Sequence, residues 1–179
     1  MSEEYFDILN EKGEPIGESK SYDEVHRNGL IHRTAHVWFV NSKKQILLQK
    51  RADKGEYFDH WDISASGHIS AGQTSLEGAQ METKEELGLS LPDKDFMFLC
   101  TLKENIILNQ GTYINNEFQD VYVVRMDIEI SQMHSDYEVS ELKWFEFEEF
   151  KLMGKDKKYM LVPHVEEYDK LIRYVEHLA

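Results

Sequence analysis

Three glutamates, Glu82, Glu85 and Glu86, stand at positions i, i+3 and i+4 of one segment. In an α-helix this spacing places all three on one face, where like charges repel by about a few tenths of a kcal/mol per pair. Without other signals, such a group is usually a solvated acidic surface. A divalent cation such as Mg²⁺ or Mn²⁺ would offset the repulsion, because it binds carboxylate oxygens and can also bridge to phosphate oxygens. The pattern is therefore typical of a solvated face or of metal-assisted phosphate chemistry.

The helix that must position these glutamates is predicted from about Ser75 to Leu87. Thr74 and Glu77 have the spacing of a capping box at its start, and Gly88 is a natural stop at its end. At 100° per residue, one narrow stripe is expected to face the core, formed by Leu76, Ala79, Thr83 and Leu87. Strands predicted before and after this helix indicate an α/β fold, with a mixed sheet and helices packed on it.

The remaining elements are predicted from alternation, turn residues and helical spacing. We expect a hairpin over residues 5–19 and a short helix over 21–27. A terminal amphipathic helix is expected to have Pro163 in its first turn. The predicted strands cover 32–40, 45–51, 61–69, 96–108, 117–130 and 140–147. The length of 179 residues fits one domain. We therefore predict a single domain over 1–179, with an N-terminal hairpin extension (1–30) and a C-terminal helix (160–179).

The glutamates belong to a longer pattern, in which Gly67 is followed after five residues by Gln73 and after seven more by Met81 to Leu89. This arrangement resembles the Nudix box, and six of the nine defined positions match: Gly67, Glu82, Glu85, Glu86, Gly88 and Leu89. The resemblance implies the Nudix α/β/α sandwich, in which a loop, a helix and a loop hold a divalent metal against a diphosphate. It also implies that Glu82, Glu85 and Glu86 bind Mg²⁺ or Mn²⁺.

Three box positions depart from the family pattern. Gln73 replaces a glutamate, Met81 an arginine and Thr83 an aliphatic residue. In the family, that glutamate and arginine are thought to brace the loop against the helix. Because both partners are replaced, the ion pair is lost but neither charge is left unpaired, so the fold need not be destabilised. We expect the cost to fall on the positioning of the catalytic glutamates, and so on the rate.

The segments 30–40 and 47–51, with the N-terminal extension, resemble the branch of the family related to isopentenyl-diphosphate isomerase. In that isomerase a cysteine precedes the Gly-His of the box, whereas here the triplet is Ser66-Gly67-His68. Isomerases of this type have largely lost the box glutamates, which this chain keeps. Serine cannot supply the proton chemistry of a thiol in allylic isomerisation. The comparison favours a hydrolase, and an isomerase is the alternative.

The same resemblance implies a second set of ligands. His32, His68 and Glu117 fall on metal-ligand positions of the isomerase, and His26 lies one residue out of register with another. Asn115 stands where the isomerase has a further glutamate. From the residues alone, His32 and His36 lie on one face of a predicted strand, and packing is the commoner role for such histidines.

The remaining site residues concern the substrate and the proton. Arg51 and Lys54 could bind a diphosphate as in the isomerases, although an ordinary basic strand end is equally consistent. His68 adjoins the motif glycine and is a third candidate for substrate binding. For the general base, Glu85, Glu86 and Glu117 stay open, because members of the family place this group differently.

The whole composition excludes some partners. The formal charge is −14, from 34 acidic and 20 basic residues. Such a chain does not fit a nucleic-acid polymer or a polybasic membrane anchor. With no signal peptide or long apolar run in view, we expect a cytoplasmic protein, and exposed sheet edges would permit a homodimer.

The predicted function is metal-dependent hydrolysis of a P–O–P linkage in a small organic diphosphate or nucleoside diphosphate derivative. The alternatives are isopentenyl-diphosphate isomerase and a catalytically weak nucleotide-binding module.

Overall fold

The computed structural model describes residues 4–52, 57–135 and 137–178. The strands are β1 (Tyr5–Leu9), β2 (Pro15–Ser21), β3 (His32–Val40), β4 (Ile46–Arg51), β5 (Trp61–Asp62), β6 (Ala65–His68), β7 (Phe96–Leu108), β8 (Tyr113–Arg125) and β9 (Val139–Phe145). The helices are α1 (Tyr22–Asn28), α2 (Ser75–Leu87), α3 (Phe147–Met153) and α4 (Val165–Glu176).

A mixed sheet of seven strands forms the centre of the domain. Its main order is β5-β4-β3-β8-β7, with β6 paired to β3 and β9 paired to β4. The β3 and β8 strands are parallel, and His32 lies opposite Glu117 in their register. All the other pairs in this sheet are antiparallel. The pairing of β3 with β8 thus brings two distant sequence segments together at the start of β3.

Helices cover both faces of this sheet, because the side chains of β3 alternate between two apolar cores. Trp38 and Val40 join the core beneath α3 and α4. Ala35, Val37 and Phe39 join the core beneath α2. All five side chains are fully buried or nearly so. The predicted α/β/α sandwich with a mixed sheet is confirmed.

The N-terminal segment forms the predicted hairpin, β1 with β2, followed by α1. Phe6, Ile8 and Val25 make a small core of their own, with Leu30 packed against it. This core lies next to the start of β3, and Leu9 N donates to Ile31 O at 2.8 Å. The hairpin is therefore attached to the part of the sheet where His32 lies. The domain boundaries predicted above stay a prediction.

Three predicted elements are wrong in detail. The strand predicted over 61–69 is broken into β5 and β6, because side chains take backbone bonds there: Asp62 Oδ1 accepts from Ile63 N, and Ser64 Oγ accepts from Phe39 N. The strand predicted over 117–130 is displaced to β8, which ends at Arg125 opposite the last residue of β3. Pro163 precedes His164, the N-cap of α4, and so lies outside the helix.

Candidate metal and diphosphate site

The three box glutamates lie on α2 in three different environments. The helix begins and ends as predicted, with the Thr74–Glu77 capping box formed and Gly88 in the left-handed conformation. Glu86 is nearly buried, with 7% of its surface exposed, whereas Glu85 is exposed. Glu82 packs against the backbone of β6, so closely that a Cβ on Gly67 would lie 2.3 Å from its carboxyl carbon. A side chain at position 67 would therefore displace the carboxylate of Glu82 from this position.

Two donors hold the Glu86 carboxylate. Its Oε2 accepts from Ser66 N at 2.7 Å and from Gln49 Nε2 at 3.1 Å. Burial nevertheless raises the pKa of Glu86 well above its usual value. The hydrogen bond from Ser66 N lowers this pKa, and the charge of Glu82 raises it further. A cation beside these two carboxylates would remove the charge repulsion and favour the ionised form of Glu86. The donor set fits Mg²⁺ or Mn²⁺, which prefer carboxylate oxygens.

A second group of possible ligands includes the last residue of β6. It consists of His26, His32, His68 and Glu117, and one ligand atom from each lies within 4.8 Å of the others. His26 comes from α1, His32 from the start of β3, His68 from the end of β6 and Glu117 from β8. The parallel pairing of β3 with β8 and the antiparallel pairing of β3 with β6 create this convergence.

Backbone carbonyls determine the tautomers of two of these histidines. Nδ1 of His26 lies 2.9 Å from Tyr22 O, and Nδ1 of His32 lies 3.0 Å from Leu30 O. A carbonyl oxygen can only accept, so both Nδ1 atoms carry the proton and both Nε2 atoms present a lone pair. Among the described residues, Nε2 of His32 is buried with no hydrogen-bond partner, 3.7 Å from Glu117 Oε1.

Burial lowers the pKa of the three histidines in this group, and that of His68 the furthest. The charges of neighbouring histidines lower the pKa of His26 and of His68 further. Nε2 of His26 and Nε2 of His68 are 3.2 Å apart. Neutral imidazoles with inward lone pairs are the form that binds a metal. The buried orphan nitrogen of His32 and the neighbouring Glu117 carboxylate thus fit a second divalent cation.

The three box glutamates and two members of the second group, His68 and Glu117, line one cleft of about 950 Å³. Of the predicted site residues, the cleft is lined by Arg51, His68, Glu82, Glu85, Glu86 and Glu117. Arg51 donates from Nη1 to Asp62 Oδ2 at 2.8 Å, which fixes its guanidinium at the edge of the cleft. Lys54 lies outside the described residues. The structure therefore brings six of the seven predicted site residues to one cavity.

Sequence reasoning missed a polar group of which His36, Asp62 and His164 also line the cleft. His164, just before α4, lies 3.1 Å from Asp62 through Nε2 and Oδ1. His36, interpreted from sequence as a packing residue, bonds through Nδ1 to Glu167 Oε2 at 2.8 Å. Trp38 Nε1 donates to the other oxygen of Glu167 at 2.6 Å. Glu167 falls on the apolar face of α4, four residues before Leu171, and this anomaly in the helical pattern was the available signal.

Comparisons with known proteins show the family to which the chain belongs. A family model for the NUDIX domain matches residues 30–165. Nudix hydrolase 3 of Arabidopsis thaliana is 44% identical over 179 residues, which cover 96% of this chain but only 23% of that relative. Isopentenyl-diphosphate Delta-isomerase 2 of Photorhabdus laumondii is 30% identical over 141 residues, covering 76% of this chain and 74% of that enzyme.

The fold has solved counterparts as well. The crystal structure of DR0079 from Deinococcus radiodurans superposes with a TM-score of 0.63 at 21% identity, covering 84% of this chain and 87% of that one. At this identity the likeness shows the fold, and the family match shows the class of protein. The chain belongs to the NUDIX family. Within the residues described above, no helix is long and apolar enough to cross a membrane.

Proposed function

We propose that the protein is a metal-dependent hydrolase that cleaves a P–O–P linkage in a small organic diphosphate or a nucleoside diphosphate derivative. One observation carries the proposal: the box glutamates line the same cleft as Arg51, and Glu82 and Glu86 are packed against the backbone of β6. A surface acidic patch would not bury one of its carboxylates and press another against a glycine. Membership of the family and its hydrolase relatives support the same reading.

In this proposal, Glu82, Glu85 and Glu86 hold Mg²⁺ or Mn²⁺. The chemistry that such a cation supplies is neutralisation of diphosphate charge and activation of water. The bonds from Ser66 N and Gln49 Nε2 keep the Glu86 carboxylate oriented. Glu85 is the exposed member, so its carboxylate can move toward a ligand without breaking a buried contact.

Arg51 is the diphosphate-binding residue of the described chain, and Lys54 and His68 are the other candidates from sequence. A guanidinium binds phosphate oxygens through two parallel N–H groups. The bond to Asp62 takes Nη1 and orients the rest of the fork. Glu117 is a candidate for the general base, as are Glu85 and Glu86. Its carboxylate is buried and accepts from Thr34 Oγ1 at 3.3 Å and from Gln119 Nε2 at 3.2 Å.

A second candidate function is isopentenyl-diphosphate isomerisation. The group of three histidines and Glu117 favours it, because His32, His68 and Glu117 fall on the metal-ligand positions of that enzyme, and an isomerase is among the relatives. Ser66 argues against it, since the hydroxyl lacks the acidity of the thiol that the isomerase uses at this position. The hydrolase therefore remains the stronger proposal.

Turnover measurements separate the candidates. Purified protein with Mg²⁺ or Mn²⁺ is incubated with a panel of nucleoside diphosphate derivatives and organic diphosphates that includes isopentenyl diphosphate. Mass spectrometry of the products then identifies the bond that is cleaved. We expect hydrolysis that falls at least about a hundredfold in Glu86→Gln and in Glu85→Gln. Glu176→Gln, an exposed substitution on α4 outside the cleft, is the matched control.

Other outcomes have distinct meanings. Deuterium exchange into isopentenyl diphosphate without phosphate release would favour the isomerase. Tight ligand binding without turnover, unchanged in Glu86→Gln, would indicate a nucleotide-binding module and contradict both enzymatic proposals. The cytoplasmic location and the homodimer stay predictions.

A further inference from the structure

The loop that leads from β6 into α2 is attached to the N-terminal hairpin. Gly72 N donates to Asp7 Oδ2 at 2.8 Å, and Ala71 N donates to Tyr5 O at 2.7 Å. The other oxygen of Asp7 accepts from Ser19 Oγ at 2.7 Å, which orients the carboxylate from the neighbouring strand of the hairpin. Two consecutive backbone amides of the loop are therefore held by β1.

Beyond the capping box at Thr74, the side-chain contact between this loop and the middle of α2 is weak. Gln73 Nε2 lies 3.7 Å from Met81 Sδ, and a thioether sulfur is a poor acceptor. Gln73 otherwise bonds within the loop, through its Oε1 to Ser70 N at 3.2 Å. At these two positions the family pattern has a glutamate and an arginine. The side chains meet as that pattern requires, but without any charge.

We propose that Asp7 is a positioning residue for the metal-binding helix and takes over the role of the missing ion pair. A bond from an N–H group to an ionised carboxylate is stronger than one between neutral groups. Asp7 thus supplies the charge-assisted contact that Gln73 and Met81 cannot make. Gly72 lies three residues before the first residue of α2, so its position sets where the helix starts and how Glu82 packs on Gly67. The inference rests on the proposed function, in which α2 carries the metal ligands.

The geometry of β1 lets this role be tested separately from the histidine group. Successive residues of a strand point to opposite faces. Phe6 stacks on His68 at a centroid distance of 4.6 Å and on His32 at 5.7 Å. Asp7, on the other face, contacts the loop. A substitution of Asp7 therefore leaves the aromatic contact with the histidines in place.

The first experiment measures metal binding without any substrate. Mn²⁺ is titrated into the full chain, and the binding component that disappears in Glu86→Gln is assigned to α2. We expect Asp7→Ala to weaken that component by about tenfold, the scale of losses for residues that support metal ligands. Asp7→Asn keeps the size of the side chain but not its charge, so it serves if the alanine variant does not fold. Glu18→Gln, an exposed acid on β2 of the same hairpin, is the matched control.

The second experiment is a rescue. Gln73→Glu with Met81→Arg restores the ion pair of the family pattern, and we expect it to recover most of the loss in the Asp7 variant. In the wild-type background the same pair should change Mn²⁺ affinity by less than about threefold, because Asp7 already holds the loop. Amide exchange at Ala71 and Gly72 should rise in the Asp7 variant and fall again on rescue. A purely folding role for Asp7 would show no such recovery.

Unchanged Mn²⁺ affinity in both Asp7 variants would overturn the inference, and so would a loss that the restored ion pair does not reduce. These results are independent of the reaction. If Asp7 behaves as expected but the wild-type protein hydrolyses no diphosphate, the proposed function fails while the positioning role stands. If the protein hydrolyses diphosphates but the Asp7 variants bind Mn²⁺ normally, the positioning role alone fails.

Discussion

Replacing His164 by glutamine should remove a pH-dependent part of the stability of the fold. His164 lies in a polar group that connects the C-terminal helix to the cleft, with Nε2 3.1 Å from Asp62. Asp62 is 1% exposed and also accepts from Arg51. Burial disfavours the imidazolium, but the bond to Asp62 and the charges of Asp62, Glu167 and Glu104 outweigh it and raise the pKa of His164 to about 9.

The sign and size of the effect follow from this pKa. The unfolded chain has a histidine pKa of about 6.5, so the folded state holds the proton more tightly. The stabilisation is complete below pH 6.5 and is lost as the pH rises through about 9. Each pKa unit corresponds to about 1.4 kcal/mol, so the free energy of unfolding should lose about 3 kcal/mol over this window.

Urea unfolding at a series of pH values from about 6 to about 10 measures the effect. The difference in unfolding free energy between wild type and His164→Gln should be largest at the acid end and shrink by about 3 kcal/mol toward the alkaline end. Taking the difference cancels other groups that titrate in both proteins, including Cys100, whose thiol pKa is raised by burial. His134→Gln, at an exposed histidine, is the control. A difference that stays constant with pH would refute the reasoning.

Two further substitutions test the geometry of the cleft. Gly67→Ala should displace the flexible carboxylate of Glu82, because the new Cβ would lie 2.3 Å from its carboxyl carbon. We expect turnover and Mn²⁺ affinity to fall by about tenfold or more, while the far-ultraviolet circular dichroism stays unchanged. Normal Mn²⁺ affinity would contradict this expectation. Arg51→Lys keeps the charge but loses the planar fork held by Asp62, so the KM for a diphosphate should rise by about tenfold with a smaller change in kcat. A change confined to kcat would argue that Arg51 does not bind the substrate.

The bounds of α2 could be predicted from sequence because the signals of this helix are local. The capping box at Thr74, the stop at Gly88 and the buried stripe lie within the helix or next to it, and α2 has the predicted bounds. The strand predicted over 61–69 failed because its interruption depends on distant partners. Ser64 Oγ bonds to Phe39 N and to Leu47 O, and neither bond leaves a periodic trace in the sequence.

The histidine group likewise depends on contacts between segments that are distant in the sequence. The register of His26 along the chain differs by one residue from the pattern of the isomerases, which left its role open. In the structure His26 comes from α1, a short helix that packs over β8 near Glu117, so a shift along the chain need not move it out of the group. The pairing of Glu167 with His36 depends on the docking of α4 across the sheet. Such a contact follows from the tertiary fold and not from a local pattern.

Under the proposed function, the charges of the cleft should couple the binding of metal to the binding of diphosphate. Glu82, Glu85 and Glu86 present acidic groups to the cavity, and burial disfavours the ionised form of Glu86. A diphosphate that entered this cleft alone would face these carboxylates, with Arg51 as a counter-charge on the wall of the cavity. A divalent cation changes the sign of that field.

By linkage, the factor by which Mn²⁺ raises diphosphate affinity must equal the factor by which the diphosphate raises Mn²⁺ affinity. Calorimetric titrations in both orders, using a non-hydrolysable diphosphate, measure both factors. Substrate affinity that is independent of Mn²⁺ would show that the carboxylates do not face the diphosphate.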